Sequence, residues 1–183
     1  MKINVNNGFI SLKTIETADY PGFAELKLLY TRAFPPDERR DSYELDKMLN
    51  NDSFSFLMIS HYDKPAGLIA FWLIEDYAFI EHLVVTEQFR NRKIGETAVH
   101  LLNEALQLPL LLETEHPTEE ISKSRVGFYE RQGFMIVDAD YIQPAYHPEK
   151  KPVEMLLLSN QTIEKEKLIS LVKSIHKQVY GVI

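Results

Sequence analysis

Between Phe79 and Leu102 the chain reads FIEHLVVTEQFRNRKIGETAVHLL, and this stretch constrains the fold more than any other. An apolar strand leads into a short basic turn with one glycine. A helix follows, with Ile94, Ala98, Leu101, Leu102 and Ala105 on one face. A helix that starts from a turn leaves its first backbone N–H groups without partners and carries a positive end. Arg90, Arg92 and Lys93 stand beside that end. The combination reads as an anion site, with a phosphate as its expected guest. The alternative is a solvated basic turn, since exposed charges often contribute little.

Any such site is local, because the formal net charge is −7. Broad nucleic-acid binding wants a basic face, so no nucleic-acid partner is expected. A length of 183 residues suits a single domain over 1–183, and 45% apolar with 26% charged residues argues for a packed core. The chain has no cysteine, which excludes a disulfide framework, a thiolate zinc site and a cysteine nucleophile. Its six histidines are scattered, so no metal centre is expected. No apolar run reaches ~18 residues, and the opening MKINVNNGFISLKTIE lacks the apolar core of a signal peptide. The expectation is a cytoplasmic protein with no membrane partner.

The patterning predicts a first strand over Gly8 to Ile15 and a helix over Gly22 to Phe34, stopped by Pro35-Pro36. A shorter helix over Asp41 to Leu49 takes Ser42 as its cap. Strands over Phe54–His61 and Pro65–Ile74 join at a turn Asp63-Lys64, and Phe79–Val85 follows the turn Glu75-Asp76. Leu108–Glu113 reads as a strand buried on both sides. Ser122–Gln132 reads as a helix ended by Gly133, and Phe134–Val137 and Val153–Leu158 as the last strands. From about residue 160 onward Ile163, Leu168, Leu171, Val172, Ile175 and Val179 mark an amphipathic helix. It packs on the body or meets a second copy, so monomer and homodimer both stay open. The fold class is α/β (α+β), a mixed and mostly antiparallel sheet with helices on both faces.

Arg90-Asn91-Arg92-Lys93-Ile94-Gly95 resembles the acyl-CoA signature of GCN5-related N-acetyltransferases (GNAT), Arg/Gln-x-x-Gly-x-Gly/Ala, with Lys93 where the middle glycine usually sits. Ser124 to Phe134, SRVGFYERQGF, is similar to the Phe-Tyr-Glu-x-x-Gly-Phe segment of the same family. Tyr141 to Pro148, with its Gln-Pro-x-Tyr, and AFPPDERR from Ala33 to Arg40 resemble segments of one bacterial branch. The resemblance implies a GNAT-like fold and an acetyl-CoA-dependent N-acetyltransferase, with a small-molecule or peptide amine as acceptor. It places the coenzyme on Arg90, Asn91, Arg92, Lys93, Ile94, Gly95 and Glu96 and on the main chain of Leu83, Val84 and Val85. The rival reading is a non-catalytic acyl-CoA-binding or sensor domain, which the departure at Lys93 motivates.

Acyl transfer to an amine needs a proton acceptor, donors for the oxyanion and a proton for the thiolate. Tyr129 matches the family tyrosine that protonates the departing thiolate; its alternative is a core aromatic beside Phe128 and Phe134. Glu81 is a charge inside an apolar strand, so it has a partner or a task. The family resemblance implies a base or a water-holding residue near it; the alternative is a structural pair. His82, on the opposite face, reads as a satisfied core histidine ranked below Glu81 as base. Glu113, Glu115, His116, Glu119 and Glu120 form an acidic run that can attract a cationic amine or cap a helix. Arg39, Glu115, Gln143 and Tyr146 are the substrate-contact candidates, and rigid loops packed by proline and aromatic side chains are the alternative for Arg39, Gln143 and Tyr146.

Overall fold

The structure, a computed structural model, describes residues 2–182. The described chain divides into two compact units. One runs through Trp72 and resumes over Ile80–Gln107; the other holds Leu73–Phe79 and the chain from Leu108 onward.

β1 (Asn4–Asn6), β2 (Ile10–Thr14), β3 (Phe54–His61) and β4 (Lys64–Ile74) pair antiparallel in chain order, and β5 (Tyr77–Val85) comes next; the end of β4 and the start of β5, Leu73–Phe79, are counted with the second unit and the rest with the first. The strand expected over Gly8–Ile15 is β2, and a short β1 that the patterning did not show precedes it, the two folded about Asn7-Gly8. Gly8 sits at φ 91°, and Asn7 Oδ1 accepts the Ile10 N–H at 2.8 Å. A three-residue strand as polar as Asn-Val-Asn carries no apolar signature. The β3–β4 turn is Tyr62-Asp63 and not Asp63-Lys64, because His61 pairs with Lys64. Its two central residues have φ of 47° and 62°. Two left-handed residues in succession form the hairpin turn whose twist matches the strands.

α1 (Phe23–Ala33) buries Phe23, Leu26 and Tyr30 and ends before Pro35. α2 (Ser42–Met48) is capped by Asp41 and not by Ser42. Asp41 is the last extended residue, and its N–H donates to the Glu44 carboxylate at 3.0 Å, a reciprocal capping box. α3 (Ile94–Leu106) buries Ile94, Ala98, Leu101 and Leu102 of the expected face, together with Val99 and Leu106, and leaves Ala105 half-buried.

In the second unit β8 (Val153–Ser159) lies antiparallel between β6 (Leu110–Glu115) and β7 (Met135–Gln143). β6 starts two residues later than its apolar run, because Pro109 has no N–H to give a ladder. β7 is far longer than Phe134–Val137, so Tyr141, Ile142 and Gln143 are strand and not loop. Two register irregularities, at Ile136/Asp138 and Asp138/Tyr141, erase its alternation. α4 (Glu120–Glu130) begins ahead of Ser122, whose hydroxyl accepts the Glu119 N–H at 3.0 Å, and Gly133 follows its end at φ 85°. α5 (Lys165–Tyr180) buries Leu171, Ile175 and Val179. Its Lys167 grips the β4–β5 turn, 2.9 Å from Glu75 and 2.6 Å from Asp76. The strands follow the order β1-β2-β3-β4-β5-β6-β8-β7 in one mixed, mostly antiparallel sheet. No described helix is long and apolar enough to cross a membrane.

Candidate active site

The basic turn links β5 to α3 through a short 3-10 turn, Glu87–Phe89. Two residues then enter the left-handed region, Asn91 at φ 61° and Lys93 at φ 58°. Lys93 therefore adopts the backbone that a glycine would take most cheaply. It is the N-cap of α3 and offers no side-chain cap. The first N–H to reach back into the helix ladder is that of Thr97, bonded to the Lys93 carbonyl at 2.9 Å. The amides of Ile94, Gly95 and Glu96 precede it and have no carbonyl four residues back inside the helix. Around them Arg90 turns its Nε to the Val85 carbonyl at 3.3 Å, and Arg92 lies 5.9 Å above the Phe89 ring. Asn91, Arg92 and Lys93 are exposed. Amides, a helix end and cations are the groups from which an anion site is built.

Gly67 of β4 shapes the strand before that turn. A Cβ there would fall 2.2 Å from the Val84 carbonyl oxygen. The Val84–Val85 peptide thus turns its carbonyl into the space over Gly67. In a planar trans peptide the following N–H points the opposite way, so the Val85 amide is aimed away from β4. The half-buried to buried side chains of Leu83, Val84 and Val85 leave the backbone to do the work. Gly67 was not singled out from the sequence, although a glycine inside an apolar strand signals a close backbone approach.

Glu81 and His82 face opposite ways from β5. The Glu81 carboxylate accepts the indole N–H of Trp72 at 2.7 Å and sits 3.2 Å from Arg40 Nε, with its side chain 1% exposed. That is a buried ion pair, compensated by a cation and a neutral donor. His82 is 3% exposed and packs edge-on to Tyr30 and Phe34, ring centroids 4.7 and 4.4 Å away. Its Nε2 lies 2.9 Å from the Glu38 carbonyl, so Nε2 carries the proton and donates. Nδ1 is buried and finds no partner among the described residues. Burial holds the His82 imidazole below its ordinary pKa, against the raising effect of Glu81. Tyr30 accepts the Arg40 N–H at 2.8 Å and is pushed well above the usual phenol range by burial and by Glu81.

In the second unit Tyr129 closes α4, buried between Phe128 and Phe134, and burial pushes its phenol up to about 12. The acidic run is drawn into local contacts. Glu115 pairs with Arg125 and accepts the Thr114 hydroxyl at 3.0 Å, Glu119 caps α4, and Tyr180 donates to Glu113. Gln143 ends β7 at 1% exposure, and the Tyr146 ring packs against Tyr180 at 4.9 Å. In the first unit Arg39 donates to the backbone carbonyls of Phe34 at 3.1 Å and Arg40 at 3.2 Å.

A family model described as the acetyltransferase (GNAT) family matches residues 20–134, more than half of the chain. A chain from Bacteroides thetaiotaomicron assigned to the GNAT family is similar nearly end to end, at 30% identity and a TM-score of 0.86, with 94% of this chain and 99% of that one covered. A GNAT acetyltransferase from Elizabethkingia anophelis, solved with acetyl-CoA bound, shares the fold at 20% identity and a TM-score of 0.55, covering 84% and 98%. Naa50 of Arabidopsis thaliana, in complex with the bisubstrate analogue CoA-Ac-MVNAL, shares it at 20% identity and a TM-score of 0.58, covering 84% and 99%. No curated protein matches the chain. The fold, the strand-turn-helix and these likenesses agree: the chain belongs to the GNAT family of acetyltransferases, which are acetyl-CoA-dependent acyltransferases.

Proposed function

We propose that this protein moves the acetyl group of acetyl-CoA to a primary amine by direct attack in a ternary complex. The observation that carries the reading is the turn before α3. Its amides at Ile94, Gly95 and Glu96, which have no carbonyl four residues back inside the helix, lie beside Arg90, Arg92 and Lys93 in the chain. A diphosphate held there lets pantetheine follow the main chain of Leu83, Val84 and Val85, and the Val85 amide, turned away from β4, donates to the thioester oxygen. Lys93 supports this use of the turn. It holds a left-handed backbone, the conformation that a glycine takes at least cost, and adds a cation.

Tyr129 donates a hydrogen bond to the departing sulfur. A phenol near 12 stays protonated at neutral pH. Full transfer to an ordinary thiolate, whose acid has a pKa of about 8.5, runs uphill, so the donor stabilises charge and leaves complete protonation to follow. Glu81, engaged by Arg40 and Trp72, acts on the strand through its charge and fixed position. The two relatives above, solved with acetyl-CoA and with a CoA–peptide analogue, suit this reading. The acceptor is a small-molecule or peptide amine.

Thiol release from acetyl-CoA, followed across a panel of small amines and peptide N-termini, tests the proposal. Release that depends on one class of amine supports it. Coenzyme binding with no release for any amine assigns the chain to acyl-CoA sensing instead.

A further inference from the structure

If the chain is an N-acetyltransferase, as proposed above, its amine must lose a proton to some group near β5. Glu81 is poorly suited, since its carboxylate is paired with Arg40 and accepts from Trp72, with its side chain 1% exposed. The residue next to it differs in one respect. The Nδ1 lone pair of His82 meets no donor among the described residues.

The arrangement is specific. Nε2 donates to the Glu38 carbonyl at 2.9 Å, which fixes the tautomer and leaves Nδ1 as the acceptor. The Tyr30 and Phe34 rings hold the imidazole edge-on from α1 and the residue after it. The side chain is buried, 3% exposed, and Nδ1 has no partner among the described residues. A buried acceptor without a donor is costly, so a fold that keeps one has a donor to supply, from water or from a ligand. His82 also stands one to three residues before Leu83, Val84 and Val85, within about 10 Å along the strand.

We propose that His82 is the general base of the reaction, taking the amine proton on Nδ1 through one bridging water. The amine nitrogen forms the C–N bond to the acetyl carbon, and the C–S bond breaks with its electron pair on sulfur. The proton lost from nitrogen passes through the water to Nδ1. The imidazolium then returns it to the water, and the sulfur leaves as the thiol once it takes a proton. The groups around the ring are Glu81 on its own strand, Glu38, Arg39 and Arg40 from the segment after α1, and Tyr30 from α1. Burial opposes imidazolium most, with the two guanidiniums adding to it, while Glu81 and the bond to the Glu38 carbonyl favour it, so the base is held neutral in the resting enzyme yet is steadied when it takes the proton.

The test compares wild type with His82→Gln, whose amide can still donate to Glu38. The expected result is a fall in kcat of roughly 10²–10⁴-fold, with the coenzyme-induced rise in Tm unchanged and the acidic limb of the pH–rate profile lost. A variant with the wild-type rate and profile overturns the assignment. If His82→Gln does not fold, the wild-type profile decides. kcat/KM must fall on acidification in step with the His82 titration followed by NMR, and a rate indifferent to that titration overturns the assignment. Wild type that binds coenzyme yet releases no thiol with any amine would sink the transferase reading itself, and this role with it. A normal rate in His82→Gln sinks only the role.

Discussion

Gly67 and Val84 share a space that holds one atom: a methyl group on Gly67 would lie 2.2 Å from the Val84 carbonyl oxygen, and 3.1 Å from Val85 Cα. Backbone and not a flexible side chain occupies that space, so the strand cannot step aside cheaply. Gly67→Ala is expected to destabilise the fold by about 1–3 kcal/mol, the usual range for overpacking. By displacing the Val84–Val85 peptide it should also lower kcat more than it raises the KM for acetyl-CoA. Denaturant unfolding and steady-state kinetics on the same preparation check both, and an alanine variant with native stability and rate contradicts the geometry.

Arg40 and Glu81 form a buried pair at 3.2 Å with side chains 11% and 1% exposed. Removing either partner alone strands the other. Arg40→Met and Glu81→Gln should each cost about 3–5 kcal/mol, and the double variant distinctly less than their sum. A double-mutant cycle by urea unfolding measures the coupling, and additive losses would mean that the two charges act independently.

Lys93 holds φ 58°, a conformation costly for any residue with a Cβ. Lys93→Gly should be more stable than Lys93→Ala by about 1 kcal/mol, a difference that thermal unfolding resolves. Both variants lose the same cation. Both should therefore bind CoA a few-fold more weakly, with a shallower dependence on salt. Equal stability of the glycine and alanine variants would show that the turn is not held left-handed in solution.

Tyr129→Phe removes one hydroxyl from a site where the phenol stays protonated near neutral pH. A hydrogen bond to a charged sulfur contributes about 1.5–3 kcal/mol, so turnover should drop roughly 10–150-fold while CoA affinity changes little. Single-turnover kinetics isolates the step. Equal turnover in the two proteins removes Tyr129 from the chemistry.

His82 and His176 are both held below their ordinary pKa of 6.5 by burial. Between that value and the folded one, the unfolded chain binds protons that the folded chain refuses. Stability is thus fully present above about 6.5, declines as pH falls below it, and levels off once the folded imidazoles also charge. Urea midpoints from pH 7.5 downward should show the decline, and His82→Gln should flatten it. A profile level through this range in wild type would mean that neither ring is buried in the neutral form.

Much of this was legible in the chain. The helix α3 follows from apolar spacing, and the turn before it from the break in that spacing with three cations. Burial of α5 by Leu171, Ile175 and Val179 follows the same rule. What escaped had physical reasons. The β1 strand is too short and polar to leave a pattern, and the bulged edge strand β7 has lost its alternation. Asp41 and Ser42 are both good caps, and only the backbone at Asp41, extended at φ −72° and ψ 143°, separates them. In the candidate site, Glu81 was recognisable as a charge needing a partner. That the partners are Trp72 from β4 and Arg40 from the segment before α2 depends on tertiary placement, which no spacing encodes. The difference between Glu81 and His82 is likewise a matter of which lone pairs are occupied.

The central claim is that the start of α3 holds the diphosphate of the coenzyme. A crystal structure of the complex with CoA tests it most directly. The account predicts diphosphate oxygens within hydrogen-bonding distance of the Ile94, Gly95 and Glu96 amides, with Arg90, Arg92 or Lys93 beside them and the pantetheine arm along Leu83 to Val85. A diphosphate bound elsewhere, with those three amides facing only water, would contradict it.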